Sequence, residues 1–285
     1  MMKFDSSTKV FCIIGDPIEH SLSPAMHNAV FEKLGLNCVY LAFRVVPAGL
    51  KDAIQGFKAL GIGGANVTIP HKISVIEHLD GLSKEAEIIG AVNTIKIEGG
   101  AVGFNTDGLG ALRALEEGGA DPDGKNIIIL GYGGAARAIA ITLALCRDVN
   151  SLVLMGRDKE KMERLVNDIR SKTGVESRGI VLSEESKKEI READILINCT
   201  PVGMHPNIDE TLVTSDMLEK GMYVMDIVYN PRETRLLREA KKAGCHTIDG
   251  VGMLVYQAAE AEKIWLGIDP PVNFMRKIAI KELER

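Results

Sequence analysis

Between Asn126 and Arg137 the chain reads Asn-Ile-Ile-Ile-Leu-Gly-Tyr-Gly-Gly-Ala-Ala-Arg. The apolar, largely β-branched run Ile127 to Leu130 predicts a strand buried on both faces. The small, apolar, breaker-free stretch from Ala135 to Cys146 predicts a buried helix. Gly131, Gly133 and Gly134 lie between them, and Ala136 completes a G-x-G-x-x-A spacing. Gly131 permits a tight turn, Gly133 lets a pyrophosphate approach the backbone, and Ala136 allows close helix–strand packing. The free N–H groups and positive dipole end of the helix then face an anion. Strand, glycine turn and helix together predict a dinucleotide site at Gly131, Gly133, Gly134 and Ala135.

The strand that follows this helix, Ser151 to Met155, ends in Gly156-Arg157-Asp158. The adenosine ribose is read at this place. An arginine there holds a 2′-phosphate, whereas an acid binds the 2′-hydroxyl and repels the phosphate. Arg157 and Asp158 offer both, so NADP is the expected cofactor, with NAD possible. Lys159 and Glu160 read as a solvated loop.

The first half carries polar groups whose types suit a polyhydroxylated small acid. Asn66 and Thr68 alternate with Val67 and Ile69, which places both polar side chains on one face of a predicted strand, next to Lys72. Asn93-Thr94 and Asn105-Thr106-Asp107 stand at further strand ends. Ser21 and Ser23 add hydroxyls in a loop, although turn and helix-cap chemistry explains serines equally well there, with Pro24 at a first helical position.

The elements that position these groups follow a strand–helix rhythm. Strands are predicted at Val10–Gly15, Val39–Val45 and Gly64–Pro70, helices at about Ala25–Leu34 and Leu50–Leu60, and a further helical segment opening at His71-Lys72. A hairpin turns at Gly99-Gly100 between runs 94–98 and 101–104. A helix over 109–117 leads to the linker Gly118–Gly124. Beyond it, strands at 126–130, 151–155, 178–182, 194–198, 223–228 and 246–248 alternate with helices, which implies a parallel sheet. Helices are expected over 253–266 and 271–285. The fold class is therefore α/β with two domains: residues 1–110 as a substrate domain, rejoined by the helices of 253–285, and 111–252 as a doubly wound dinucleotide domain.

Composition sets limits on function. The chain has 285 residues, 46% hydrophobic and 26% charged, with a formal net charge of −5. No basic stripe points to nucleic acid. No apolar run approaches a membrane span, and the start is unlike a targeting peptide. Five scattered cysteines without C-x-x-C fit free thiols in a cytoplasmic setting, and the histidine spacing gives a metal site little support. A monomer or a homodimer is equally compatible with the sequence.

Six motifs, in order, resemble the shikimate dehydrogenase family: Ser21-x-Ser23-Pro24, Asn66-Val67-Thr68-x-Pro70-x-Lys72, Gly90-Ala91-x-Asn93-Thr94, Asn105-Thr106-Asp107-Gly108, Gly131-x-Gly133-Gly134-Ala135 and Asp249-Gly250-x-Gly252-Met253-Leu254-x-x-Gln257. They span nearly the whole chain. The resemblance implies reversible NADPH-dependent reduction of 3-dehydroshikimate to shikimate. It implies Lys72 and Asp107 as the catalytic pair, and Ser21 and Ser23 on the substrate carboxylate. Asn66, Thr68, Asn93, Gln257 and Tyr229 would contact the rest of the substrate, with Ile227 and Gly250 beside the nicotinamide. Two departures stand out. The family's Asn-Arg-Thr after the second strand is Gly156-Arg157-Asp158, and Tyr132 occupies a glycine-loop position where a small residue is usual. The first leaves NAD-dependent quinate/shikimate dehydrogenase as the alternative. A methylenetetrahydrofolate dehydrogenase would require a Tyr-x-x-x-Lys helix, which is absent around Lys72. A nucleotide-sensing regulator would have no need of both Lys72 and Asp107.

Overall fold

The computed structural model describes residues 4–183 and 186–285. The chain divides into two compact units, Met1–Thr106 with Val255–Arg285, and Asp107–Leu254. The boundaries fall four residues before and two residues after the positions expected from sequence.

The first unit contains β1 (Lys9–Gly15), α1 (Ser23–Leu34), β2 (Cys38–Arg44), α2 (Leu50–Leu60), β3 (Gly64–Val67), β4 (Gly81–Leu82), α3 (Lys84–Ile89), β5 (Thr94–Ile97) and β6 (Ala101–Phe104). Among the described residues its sheet has six strands in the order β2-β1-β3-β5-β6-β4. β1 is parallel to β2 and β3, whereas β5 is antiparallel to β3 and β6. The alternation along β1 explains the continuous apolar run there. Cys12 and Ile14 join Ile54 and Phe57 of α2 on one face. Phe11 and Ile13 join Phe31 of α1 and Tyr40 of β2 on the other. Both faces are covered, so no position along the strand center has to be polar.

In the second unit, α4 (Asp107–Glu117) precedes β7 (Asn126–Leu130), α5 (Gly134–Cys146), β8 (Ser151–Gly156), α6 (Lys159–Thr173), β9 (Ser177–Val181), α7 (Lys187–Arg191), β10 (Ile195–Asn198), β11 (Tyr223–Asp226), α8 (Arg235–Ala243) and β12 (His246–Ile248). The six described strands are all parallel, in the order β12-β11-β10-β7-β8-β9. The order reverses between β7 and β10, which is the switch point where doubly wound sheets bind ligands at their carboxyl ends. Ile128, Leu130, Leu196 and Val224 pack with Leu236, Leu237 and Ala240 of α8.

α9 (Gly250–Leu266) starts in the second unit, and from Val255 onward its residues belong to the first, as does α10 (Val272–Leu283). Within the first unit, Ala261 and Trp265 of α9 sit in the Phe11–Phe31–Tyr40 cluster. The Trp265 Nε1–H donates to the Ile95 carbonyl at 2.9 Å. Among the described residues no helix is long and apolar enough to cross a membrane.

Two local expectations are corrected. The third strand ends at Val67, so Thr68 does not share a strand face with Asn66; it lies in the turn that Pro70 forces, although its N–H still reaches Ile14 O at 2.9 Å. Lys72 does not open a helix. It sits in a turn, and the next helical residues are a short 3₁₀ segment, Ser74–His78.

Candidate active site

In the first unit the polar residues converge at the carboxyl ends of β1 and β3. The loop after β1 carries Ser21 and Ser23. Ser23 is the first residue of α1 and is buried, and the N-cap before it, Leu22, supplies no side-chain capping bond. In the turn before it, the Ser21 Oγ accepts from Ser23 N at 3.3 Å. The turn after β3 carries Thr68 and Lys72. The Lys72 carbonyl accepts the Val92 N–H at 2.7 Å, which sets the lysine beside the segment that ends in Asn93.

Asn93 is the hub of this cluster. It is buried at 2% exposure, where an unsatisfied amide would be costly. Its Nδ2 donates to Thr106 Oγ1 at 2.9 Å and Gln257 Oε1 at 3.4 Å, and its Oδ1 accepts Thr106 N at 2.8 Å. Gln257 arrives on α9, from the far end of the sequence. Asn66 supports the hub from below: its Nδ2 donates to Asn93 O at 3.2 Å and Thr94 Oγ1 at 3.1 Å, and its Oδ1 accepts the Tyr40 hydroxyl at 2.6 Å. Asn66, Asn93 and Gln257 are thus brought together by one hydrogen-bonded network, with Lys72 joined to it through the backbone.

Asp107 follows Thr106 directly. It is the first residue of α4 and is buried at 4% exposure. A carboxylate at a helix N-terminus is stabilised by the helix dipole.

The glycine loop of the second unit has the predicted form. Gly131 adopts φ +111°, a conformation that side-chain-bearing residues rarely reach. Gly133 precedes α5 with no side-chain cap. A Cβ built on Gly133 would meet no protein atom within 4 Å. The N-terminal N–H groups of α5 are therefore open to an anion, and the loop fits a pyrophosphate.

The end of β8 accounts for both departures at once. A Cβ on Gly156 would lie 2.5 Å from the Tyr132 ring. The Tyr132 ring therefore occupies the space that a side chain at position 156 would take. Arg157 is exposed and makes no ion pair among the described residues. Asp158 is engaged at the start of α6. Its Oδ1 accepts Lys161 N at 3.1 Å, its Oδ2 lies 3.3 Å from Lys161 Nζ, and these bonds hold its carboxyl below the usual range.

Sequence reasoning missed Asp226, at the end of β11. It is fully buried and accepts from Thr234 Oγ1 at 2.6 Å, Asn198 Nδ2 at 2.9 Å and Val228 N at 3.0 Å. Burial nevertheless pushes its carboxyl up to about 6. The residue fixes the segment that carries Ile227 and Tyr229. Gly250 is held to the same segment, since a Cβ there would fall 2.5 Å from Ile227 O. The Tyr229 hydroxyl is raised by burial.

Comparison with known proteins agrees with this layout. The shikimate dehydrogenase substrate binding domain matches residues 13–95, and the shikimate 5′-dehydrogenase C-terminal domain matches 250–280. The saccharopine dehydrogenase NADP binding domain matches 127–240. A shikimate dehydrogenase (NADP(+)) of Methanopyrus kandleri is 51% identical over 283 residues, covering 98% of this chain and 97% of that protein. A crystal structure of a shikimate dehydrogenase in complex with NADP+ superposes with a TM-score of 0.91 at 49% identity, covering 99% of this chain and 98% of the other. The Listeria monocytogenes shikimate 5-dehydrogenase, solved with shikimate and NAD, gives 0.89 at 42% identity, with 98% of each chain covered. On motif order, topology and similarity along its length, the chain belongs to the shikimate dehydrogenase family.

Proposed function

We propose that this protein catalyses the reversible NADPH-dependent reduction of 3-dehydroshikimate to shikimate, in a cytoplasmic setting that suits its free cysteines. The observation that carries this reading is the buried Asn93 hub. It unites groups from β3, β5 and α9 beside Lys72, at the strand ends where a small polyhydroxylated acid would be bound. Ser21 and Ser23 take the carboxylate; Thr68, Asn93 and Gln257 take ring hydroxyls, with Asn66 holding the hub. The family resemblance assigns Tyr229 a further substrate contact and Asp107 the role of partner to Lys72.

When bound, NADPH supplies the hydride to the ring carbon that bears the carbonyl. The oxygen left on that carbon needs a proton, and the Lys72 ammonium is the group assigned to donate it. In the oxidative direction the neutral amine takes the proton back. Gly131, Gly133, Gly134 and Ala135 hold the pyrophosphate, Ile227 and Gly250 line the nicotinamide, and Arg157 holds the 2′-phosphate. That Asp158 caps α6, while Arg157 is exposed, supports NADP over the NAD-dependent quinate reading.

The test is oxidation of shikimate and quinate, each with NADP+ and NAD+, compared by kcat/KM. A strong preference for shikimate with NADP+ is expected. Equal or better rates with quinate or NAD+ overturn the assignment in favour of the alternative. Arg157→Ala should weaken NADP+ binding by about tenfold or more, the worth of one charge-assisted hydrogen bond, and leave NAD+ binding unchanged.

A further inference from the structure

Beneath the hub lies a buried acid–imidazole pair that the chemistry above does not use. Glu262 of α9 and His27 of α1 are both wholly inaccessible, and Glu262 Oε1 lies 2.7 Å from His27 Nδ1. The other two polar atoms, Glu262 Oε2 and His27 Nε2, are buried with no hydrogen-bond partner. The surroundings are apolar and aromatic, with Phe31 and Trp265 rings 6.3 and 5.7 Å from the imidazole. Two hydrocarbon side chains would fill such a space at lower cost in desolvation. What a carboxylate–imidazole contact provides, and a hydrocarbon contact does not, is a directed bond of fixed length.

That bond ties together two helices that each carry a proposed substrate contact. Ser23 lies one turn before His27 on α1, and Gln257 lies five residues before Glu262 on α9. The His27 ring also stacks on Tyr40, with centroids 4.3 Å apart and planes at 20°. The Tyr40 hydroxyl bonds Asn66, Asn66 bonds the Asn93 carbonyl, and the Asn93 amide bonds Gln257. The path from Glu262 through His27, Tyr40, Asn66 and Asn93 returns to α9 at Gln257, closing a ring of contacts within the first unit.

We infer that Glu262 and His27 are positioning residues that set the separation between Ser23 and Gln257, and hence the span over which the substrate's carboxylate and hydroxyl ends are read. The inference rests on the shikimate reading of the site. It explains why an acid is kept in the core of α9, where apolar packing would otherwise prevail.

The experiment compares Glu262→Leu, Glu262→Asp and Glu262→Gln with the wild type. It measures kcat and KM for shikimate, the shikimate Kd by calorimetry, the NADP+ Kd by fluorescence titration, and thermal unfolding. Leu removes the bond, Asp retracts the carboxylate by one methylene, and Gln keeps both length and acceptor. Glu262→Leu should lower kcat/KM for shikimate by about 10- to 100-fold, as misplacement of binding groups does. Its shikimate Kd should rise while its NADP+ Kd stays at the wild-type value. Glu262→Asp should move the same way by less, and Glu262→Gln should restore most of the wild-type behaviour. A purely structural pair would lower the unfolding temperature and leave shikimate affinity untouched. That result in Glu262→Leu overturns the inference, as does an equal loss of both affinities. Should Glu262→Leu not fold, a wild-type shikimate KM and Kd in Glu262→Asp is the overturning result. A wild-type enzyme that neither binds nor oxidises shikimate overturns the functional reading itself, and this inference with it.

Discussion

Single side chains in this protein do their work by being held rather than by being reactive in isolation. Lys72 is placed by its own carbonyl, which is tied to Val92 N, and not by helix geometry. Lys72→Ala should lower kcat by about 10²- to 10⁴-fold, the usual worth of a positioned proton donor, with the NADP+ Kd near normal. Retention of most turnover would remove the lysine from the proton path. Asp226 shows the opposite economy. Its folded carboxyl, at about 6, holds a proton more tightly than the ordinary value of 3.8. The folded state therefore binds more protons between those values. The contribution of this group to stability declines as pH rises from about 4 to about 6 and is level above. Two units correspond to roughly 3 kcal/mol. Asp226→Asn should show its stability difference from wild type changing over that window, read by urea denaturation at a series of pH values. A pH-independent difference would mean that the carboxyl titrates normally.

At the scale of elements, Tyr132 and Gly156 form a coupled pair between the loop after β7 and the end of β8. Gly156→Asn should destabilise the protein by about 1–3 kcal/mol through overpacking. Adding Tyr132→Ala should recover most of that loss, and denaturant midpoints of the four proteins in the cycle measure the coupling. Additive effects would show that the ring moves aside freely. The two departures were visible in the sequence as separate oddities; their relation was not, because 24 positions and a whole helix separate them. The same distinction runs through the fold. Most strands of the second unit were legible as short apolar runs between breakers, and β7 and β12 fall where expected. The alternation of Asn66 and Thr68 misled, since a period of two cannot show where a strand stops. It stops at Val67, three residues before Pro70. Glu262 on α9 reads in sequence as an exposed helix charge, and nothing local marks it as buried against a histidine 235 residues away.

For the whole molecule, the chain order conceals a simple division. The first unit is made of both ends of the chain, and the second is inserted between them. The proposed substrate contacts Ser21, Ser23, Asn66, Thr68, Asn93 and Gln257 belong to the first unit; Tyr229 and the pyrophosphate loop belong to the second. Hydrogen exchange should separate the two ligands accordingly. Shikimate should slow exchange at the start of α1, after β3 and in α9 around Gln257, whereas NADP+ should slow it at residues 131–136 and 156–158. Protection of the glycine loop by shikimate alone would contradict this assignment. Because Gln257 comes from the C-terminal segment, the substrate unit is completed only when the end of the chain has been added, even though its sheet comes entirely from the first 106 residues.

Trp265 has a practical consequence. It is the single tryptophan of the chain. It stacks on Phe11 with ring centroids 5.0 Å apart and is anchored to the Ile95 carbonyl. Its intrinsic emission is therefore a built-in reporter for the substrate unit alone, silent toward the parallel-sheet unit. Comparing that emission with circular dichroism during denaturation distinguishes one cooperative transition from two. No label need be introduced, and the optical signal originates beside the His27–Glu262 contact.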